Sequence, residues 1–239
     1  MLEKLLRPLC TGRHDVPVRC SCGQTMHSRG IRTKKLICTL GPLSLDRSLF
    51  RCPACGKTVF PADRLLDVEH TGFSPGVRRW MARAGSRTSF VEAEEDLNVY
   101  TGLNINRRDI ERIAEKVGQQ IDTWQSRQDE YLLKTSPAKA SPIPVLYVSF
   151  DGTGIPMRKE ELLGRIGKGA DGKAKGREVK LGCIFTQTTT NEEGYPVRDD
   201  NSTTYVGAIE SSAFFGQRIY AEALRRGLDS SQKLVPIQA

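Results

Sequence analysis

Apolar and polar positions change their period along the chain, and the changes mark out elements. Residues 32–40 alternate, reach a Gly41-Pro42 turn and resume over 43–50, the pattern of a β-hairpin. Past residue 70 the period lengthens. Ser74-Pro75 has the form of a helix start and predicts a helix over 75–84 that stops near Gly85. Ser89 predicts the cap of a second helix, which reaches Tyr100 and ends before Gly102. Asn104 or Asn106 predicts the cap of a third, in which Ile110, Ile113, Val117 and Ile121 recur at helical spacing. Residues 134–144 hold three prolines, which prevent a continuous helix and predict a linker.

Beyond that linker the pattern turns β-rich. The apolar run 145–150 ends in Asp151-Gly152-Thr153-Gly154, which reads as a buried strand delivering a carboxylate into a glycine-rich turn. Residues 178–187 and 203–209 read as two further strands. Ser211 or Ser212 predicts the cap of a helix reaching Leu228, with Gly227 near its end, and residues 233–237 begin another apolar run. Three strands, a helix and the start of a strand make the opening half of a ribonuclease-H-like α/β sheet, whose first strand carries the leading carboxylate.

Length and charge narrow the class. At ~150 residues per domain, 239 residues suggest one to two domains. The longest apolar run, 144–150, is far short of the ~20 residues of a membrane span. Residues 1–13 carry Glu3, Lys4 and Arg7 without a long apolar core, so no signal peptide is expected. The expected location is cytoplasmic, bacterial and nucleoid-associated, where thiols stay reduced. The seven cysteines are therefore read as metal ligands or buried thiols, not disulfides. The net charge of +8 is concentrated at one end: residues 1–64 hold 12 basic and 4 acidic side chains. A compact basic module suggests attraction to a polyanion, or else a solvated basic face.

That basic module contains the cysteine pairs Cys20-Ser-Cys22-Gly and Cys52-Pro-Ala-Cys55-Gly. Each pair sets two thiolates on one tight turn, and together they supply four soft ligands suited to tetrahedral zinc. The hairpin between them carries the second pair back beside the first, as in a zinc ribbon. The first pair is one residue tighter than Cys-x-x-Cys. Cys10, His14, His27 and Cys38 are nearby alternative ligands, although Cys38 and Cys183 read better as small buried apolar groups. A closed site of four cysteines is structural rather than catalytic.

In the helical middle, the short second helix, the Thr101-Gly102 turn and the longer third helix have the form of a helix-turn-helix. Asn106, Arg107, Arg108 and Arg112 then stand in the first turns of the helix that enters a major groove. A plain three-helix bundle with surface arginines fits the same pattern, and the acidic cluster Glu92, Glu94, Glu95 and Asp96 would have to face away from DNA. In the third stretch, residues 164–177 read as a flexible hairpin or a disordered basic loop. Its Lys168, Lys173, Lys175 and Arg177 are candidate contacts to a phosphate backbone. A phosphate-binding loop at 167–173 is rejected, because Ala174 stands where Ser or Thr should bind magnesium and a strand follows where a helix is required.

Taken in order, these residues resemble the ISKra family of insertion-sequence transposases, in the acidic-triad (DDE) superfamily. The matching pieces run from about Cys20 to Leu234: Cys20-Ser-Cys22-Gly23, Leu40-Gly41-Pro42, Arg51-Cys52-Pro53-Ala54-Cys55 and Phe60-Pro61-Ala62-Asp63 come first. Asp151-Gly152-Thr153-Gly154-Ile155-Pro156, Arg177-Glu178-Val179-Lys180-Leu181-Gly182, Pro196-Val197-Arg198-Asp199 and Ser202-Thr203-Thr204-Tyr205-Val206 follow. The resemblance implies that Asp151 is the first acid of the catalytic triad. It further implies magnesium or manganese at that acid, insertion-sequence ends of double-stranded DNA as partner, and a homo-oligomer or an intact transposase as protein partner.

The family continues into a strand ending in Asp-Gly, which supplies the second acid. Here Pro236 interrupts the apolar run, and the chain reads Leu234-Val235-Pro236-Ile237-Gln238-Ala239. Asp199, Asp200 and Glu210 have no spacing that places them beside Asp151. The expectation is thus a multidomain α+β chain. It has a zinc-ribbon module (1–66), a helix-turn-helix-like region (70–134), a linker (135–144) and the N-terminal half of a ribonuclease-H-like domain (145–239). Such a chain is a truncated transposase that binds DNA and does not cut it alone. The alternative is a non-enzymatic DNA-binding regulator or competitor of an intact transposase.

Overall fold

The computed structural model describes residues 2–11, 17–135, 143–167, 172 and 174–238. They form a mixed α+β structure divided into two compact units, Met1–Ile121 and Asp122–Ala239. The boundary falls inside a helix, upstream of the proline-rich stretch, of which residues 136–142 lie outside the described residues. No helix among the described residues is long and apolar enough to cross a membrane.

The first unit opens with α1 (Leu2–Thr11), followed by the hairpin β1 (His27–Cys38) and β2 (Gly41–Arg51) and the short β3 (Thr58–Val59). The strands pair in the order β1-β2-β3, and both contacts are antiparallel. Leu36, Cys38, Leu43 and Leu45 pack on Cys10, Leu2 and Leu6 of α1, which gives the amphipathic α1 its apolar surface to cover. Burial pushes the Cys10 thiol up, with Asp63 adding to the effect, as befits an inert core thiol.

The short helix α2 (Pro61–Leu65) has proline in its first turn. It presents Asp63, whose Oδ2 accepts bonds from Lys34 Nζ at 3.2 Å and Arg47 Nη1 at 2.8 Å. The Arg47 guanidinium also lies 3.6 Å from the Phe60 ring centre. Phe60-Pro61-Ala62-Asp63 is thus a clasp holding the outer half of the hairpin to the chain that follows it.

Three helices complete this unit: α3 (Pro75–Gly85), α4 (Phe90–Thr101) and the start of α5 (Arg107–Lys134). Ser74 caps α3 by accepting the Val77 N–H, and Ser89 forms a reciprocal capping box with Glu92. Gly102 ends α4 in the left-handed conformation, φ 65°. Of the two asparagines expected to cap α5, Asn106 does so: its Oδ1 accepts the Asp109 N–H at 2.9 Å. Val77 and Met81 of α3, Ala93 and Leu97 of α4, and Ile110 and Ile113 of α5 share one core. Ile121 is exposed, because the helix has by then run past that core.

In the second unit, β4 (Ile143–Pro156), β5 (Gly176–Thr186), β8 (Thr204–Ala208) and β9 (Ser231–Gln238) form a sheet in the order β8-β5-β4-β9. A separate ribbon of β6 (Thr189–Thr190) and β7 (Pro196–Val197) lies between β5 and β8 in sequence. β4, β5 and β8 are antiparallel neighbours, and β9 runs parallel to β4. The helix α6 (Ser212–Arg225), capped by Ser211, makes the crossover. Leu146, Val148 and Ile184 on one face of the sheet pack on Ile219 and Ala223 of α6. Two arginines seven residues apart fasten α6 to the end of α5: Arg218 binds Asp122 and Arg225 binds Asp129, each at 3.0 Å.

Two sequence expectations change here. The strand expected to stop at Phe150 continues through Asp151-Gly152-Thr153-Gly154 to Pro156, paired residue by residue with β5. Glycine propensity would end a strand, but eleven consecutive partners on β5 supply the hydrogen bonds that keep the backbone extended. Pro236 does not interrupt β9 either. The strand is the outer one of its sheet, where an N–H turned away from the ladder has no partner to lose.

Candidate metal centre and the Asp151 cleft

The four cysteines expected to act together do meet. The turn after Cys20 brings the Gly23 N–H to the Cys20 carbonyl at 2.9 Å, and the Gly56 N–H reaches the Cys52 carbonyl at 3.1 Å. These matching turns stand at one end of the β1–β2 hairpin and β3. The Sγ atoms of Cys20 and Cys55 are 3.5 Å apart, as are those of Cys22 and Cys52, and all four lie within 4.8 Å of one another. A tetrahedral zinc with Zn–S of about 2.3 Å requires sulfurs roughly 3.8 Å apart, so the donor set fits that ion. Cys20 and Cys52 are buried beside Met26, and Cys22 and Cys55 are exposed. The site is thus one end of a small core, and a metal there would replace the apolar packing that so short a module lacks.

The thiols are already unequal. The Cys22 backbone N–H holds the Cys20 thiol down, at about 6. The Cys55 N–H does the same for Cys52, which also titrates low. For Cys22 the Gln24 N–H pulls down, yet hydrogen bonding to the Cys52 and Cys20 sulfurs outweighs it and lifts the group to about 11. Cys22 therefore keeps the proton that an arriving cation displaces. The alternative ligands do not join the group: Cys10 and Cys38 sit in the hairpin core and His27 is exposed on β1. His14 lies outside the described residues. Cys183, expected to be buried, is half-exposed on β5.

Asp151 stands in the middle of β4, exposed, cross-strand from Leu181. Its Oδ1 accepts the Gly152 N–H at 2.7 Å. It helps line a cleft of about 460 Å³ together with Phe150, Glu178, Lys180, Ser212 and Phe215. Glu178 and Lys180 are ion-paired, and buried Lys180 also donates to the Glu210 carbonyl at 3.0 Å. A Cβ at position 152 would come within 2.5 Å of Glu178 Oε1, which explains the glycine after Asp151. Sequence reading overlooked Glu178 and Lys180 as cleft residues. Their signal was the Arg177-Glu178-Val179-Lys180 alternation, which sets both on the face of Gly152.

Among the described residues, only the four cysteines form a group of three or more metal-ligating side chains. The acids around Asp151 do not complete a magnesium or manganese site. Asp199 instead holds a turn: the Thr186 hydroxyl and then the Thr188 N–H lower its carboxyl below the usual range. Glu210 pairs with Arg218 at 2.8 Å.

The expected DNA contacts are dispersed. Arg107 and Arg108 are exposed in the first turn of α5. Asn106 spends its side chain on the cap and on Asp109, and Arg112 is tied to Asp109 at 2.6 Å. Arg177 donates to the Ile209 carbonyl at 2.6 Å, and Lys175 is exposed. Lys168 and Lys173 lie outside the described residues. No protein-family model matches the chain, and no curated protein matches it.

Proposed function

We propose that this chain is the DNA-binding and first-acid portion of an ISKra-type transposase of the acidic-triad superfamily. In this reading a zinc ribbon and a helix-turn-helix-like bundle bind insertion-sequence ends as double-stranded DNA on the bacterial nucleoid. The third stretch is then the opening half of a ribonuclease-H-like domain. The observation that carries the reading is the strand order β8-β5-β4-β9, with α6 leading into a strand parallel to the first and Asp151 on that first strand. This is the order the resemblance leads one to expect.

Strand transfer by this class is metal-dependent phosphoryl transfer, in which several carboxylates hold two ions at the attacking and leaving oxygens. Asp151 contributes one carboxylate, and the described acids around it add no complete ligand group. The 239-residue chain therefore binds DNA and does not cut it. A mobility-shift assay of the zinc-loaded chain on duplex DNA at about 50 mM salt tests the first half. Nicking of supercoiled plasmid with magnesium or manganese tests the second. A shift without nicking is the expected result. No shift overturns the DNA reading, and sustained nicking lost in Asp151→Ala overturns the inactivity.

The isolation of Asp151 favours a second reading, a non-enzymatic regulator that competes with an intact transposase. It predicts that the Asp151→Ala chain inhibits such an enzyme as well as the parent does.

A further inference from the structure

Positive charge in the first unit is left over after the fold has used what it needs. Residues 17–64 carry nine basic and two acidic side chains, an excess of seven. Both acids are engaged inside the fold. Asp63 binds Lys34 and Arg47, and Asp46 accepts the Thr33 hydroxyl at 2.7 Å. A zinc tetrathiolate carries a formal charge of about −2, which still leaves a surplus of roughly five. Arg29, Arg32 and Lys35 on β1 are exposed, as are Arg19 and Arg51 beside the cysteines. Among the described residues, none of these five is in an ion pair with a carboxylate.

The local backbone favours the same face. β1 is the outer strand of its sheet, and every residue from 27 to 33 is exposed. Between Ser28 and Ile31 it carries one more residue than β2 does, with Gly30 at φ 86°. Such a bulge re-aims side chains and spoils an edge for pairing with another strand. A bulged, basic, fully exposed edge suits a polyanion better than an added β-strand.

We propose that the bulged half of β1 grips the phosphate backbone of double-stranded DNA through Arg29 and Arg32. The inference rests on the DNA-binding reading above and adds a contact element to it. A two-stranded ribbon fits a major groove about 12 Å wide, and an arginine fork matches a phosphate in bidentate fashion. Phosphate contacts give affinity and register without sequence. The ribbon thus supplies salt-dependent grip whatever α5 contributes.

The test uses the full zinc-loaded chain and an Arg29→Ala/Arg32→Ala variant, with fluorescence anisotropy on two unrelated DNA duplexes over a salt series. Zinc content and thermal melt are matched first. Because both arginines are exposed, the variant should fold as the parent does. Losing two phosphate contacts reduces the slope of log K against log salt by about 1.8, equally for both duplexes. A parent that binds with a slope unchanged in the variant overturns the ribbon and leaves the DNA reading standing. A parent that binds neither duplex at low salt overturns both. Tighter binding to an RNA duplex, lost in the same variant, keeps the arginines but overturns DNA as their partner.

Discussion

Replacing Asp63 by alanine should loosen the first unit more than any surface change of similar size. The carboxylate is 6% exposed and is the shared partner of Lys34 and Arg47, whose side chains are 13% and 12% exposed. Its removal leaves two cations with little water and no counter-ion. Breaking a buried pair from one side costs about 3–5 kcal/mol. The lower end applies here. Lys34 keeps a bond to the Val68 carbonyl, Arg47 keeps the Phe60 ring, and Asp63 Oδ1 had no partner to lose. Because two units unfold together or apart, a single melting curve is a poor readout. Cys10 supplies a local one. It is 1% exposed in the core beneath α2, so its reaction with a thiol reagent reports opening of that core. A loss of about 3 kcal/mol raises the open population, and hence the labelling rate, by roughly a hundredfold. The zinc-loaded protein is used so that the four ligand thiols are protected. Labelling within threefold of the parent would refute the clasp.

Other consequences are open to measurement. Zinc should bind one ion per chain, and Cys52→Ala should abolish it, as read by metal analysis after gel filtration. At neutral pH the low-titrating Cys20 is already a thiolate and Cys22, at about 11, is not, so loading should release at least one proton per zinc. Affinity should fall as the pH drops and fall more steeply below about 6, where Cys20 also regains its proton; dye-monitored titrations with no proton release would contradict this. Gly152→Ala drives a methyl into Glu178 Oε1 and should cost about 1–3 kcal/mol in thermal or urea melts, by displacing the carboxylate from buried Lys180. Asp199→Ala should speed hydrogen exchange at the Thr188 amide. In the parent that protection holds above the ordinary aspartate range and fades as the pH falls through the lowered value.

Much of this protein is written in short-range signals. Ser74, Ser89 and Ser211 each announce a helix because a hydroxyl can take an orphan N–H within four residues, and that interaction needs nothing distant. The two cysteine turns are equally local, and their sum of four soft ligands pointed to zinc before any coordinates. What the sequence could not decide were the outcomes that depend on a partner far along the chain. The glycines after Asp151 argue for a turn until β5 is laid beside them, and Pro236 argues for a break until β9 is seen to be an outer strand. Asn106 reads as a base-contacting side chain until Asp109 is found to claim it. Asp63 shows no sign of its role until the hairpin returns Lys34 and Arg47 to it across 29 and 16 residues. Propensity and capping act over one turn of chain, whereas charge pairing and strand partnership are settled only when the tertiary fold brings the second group within hydrogen-bond reach.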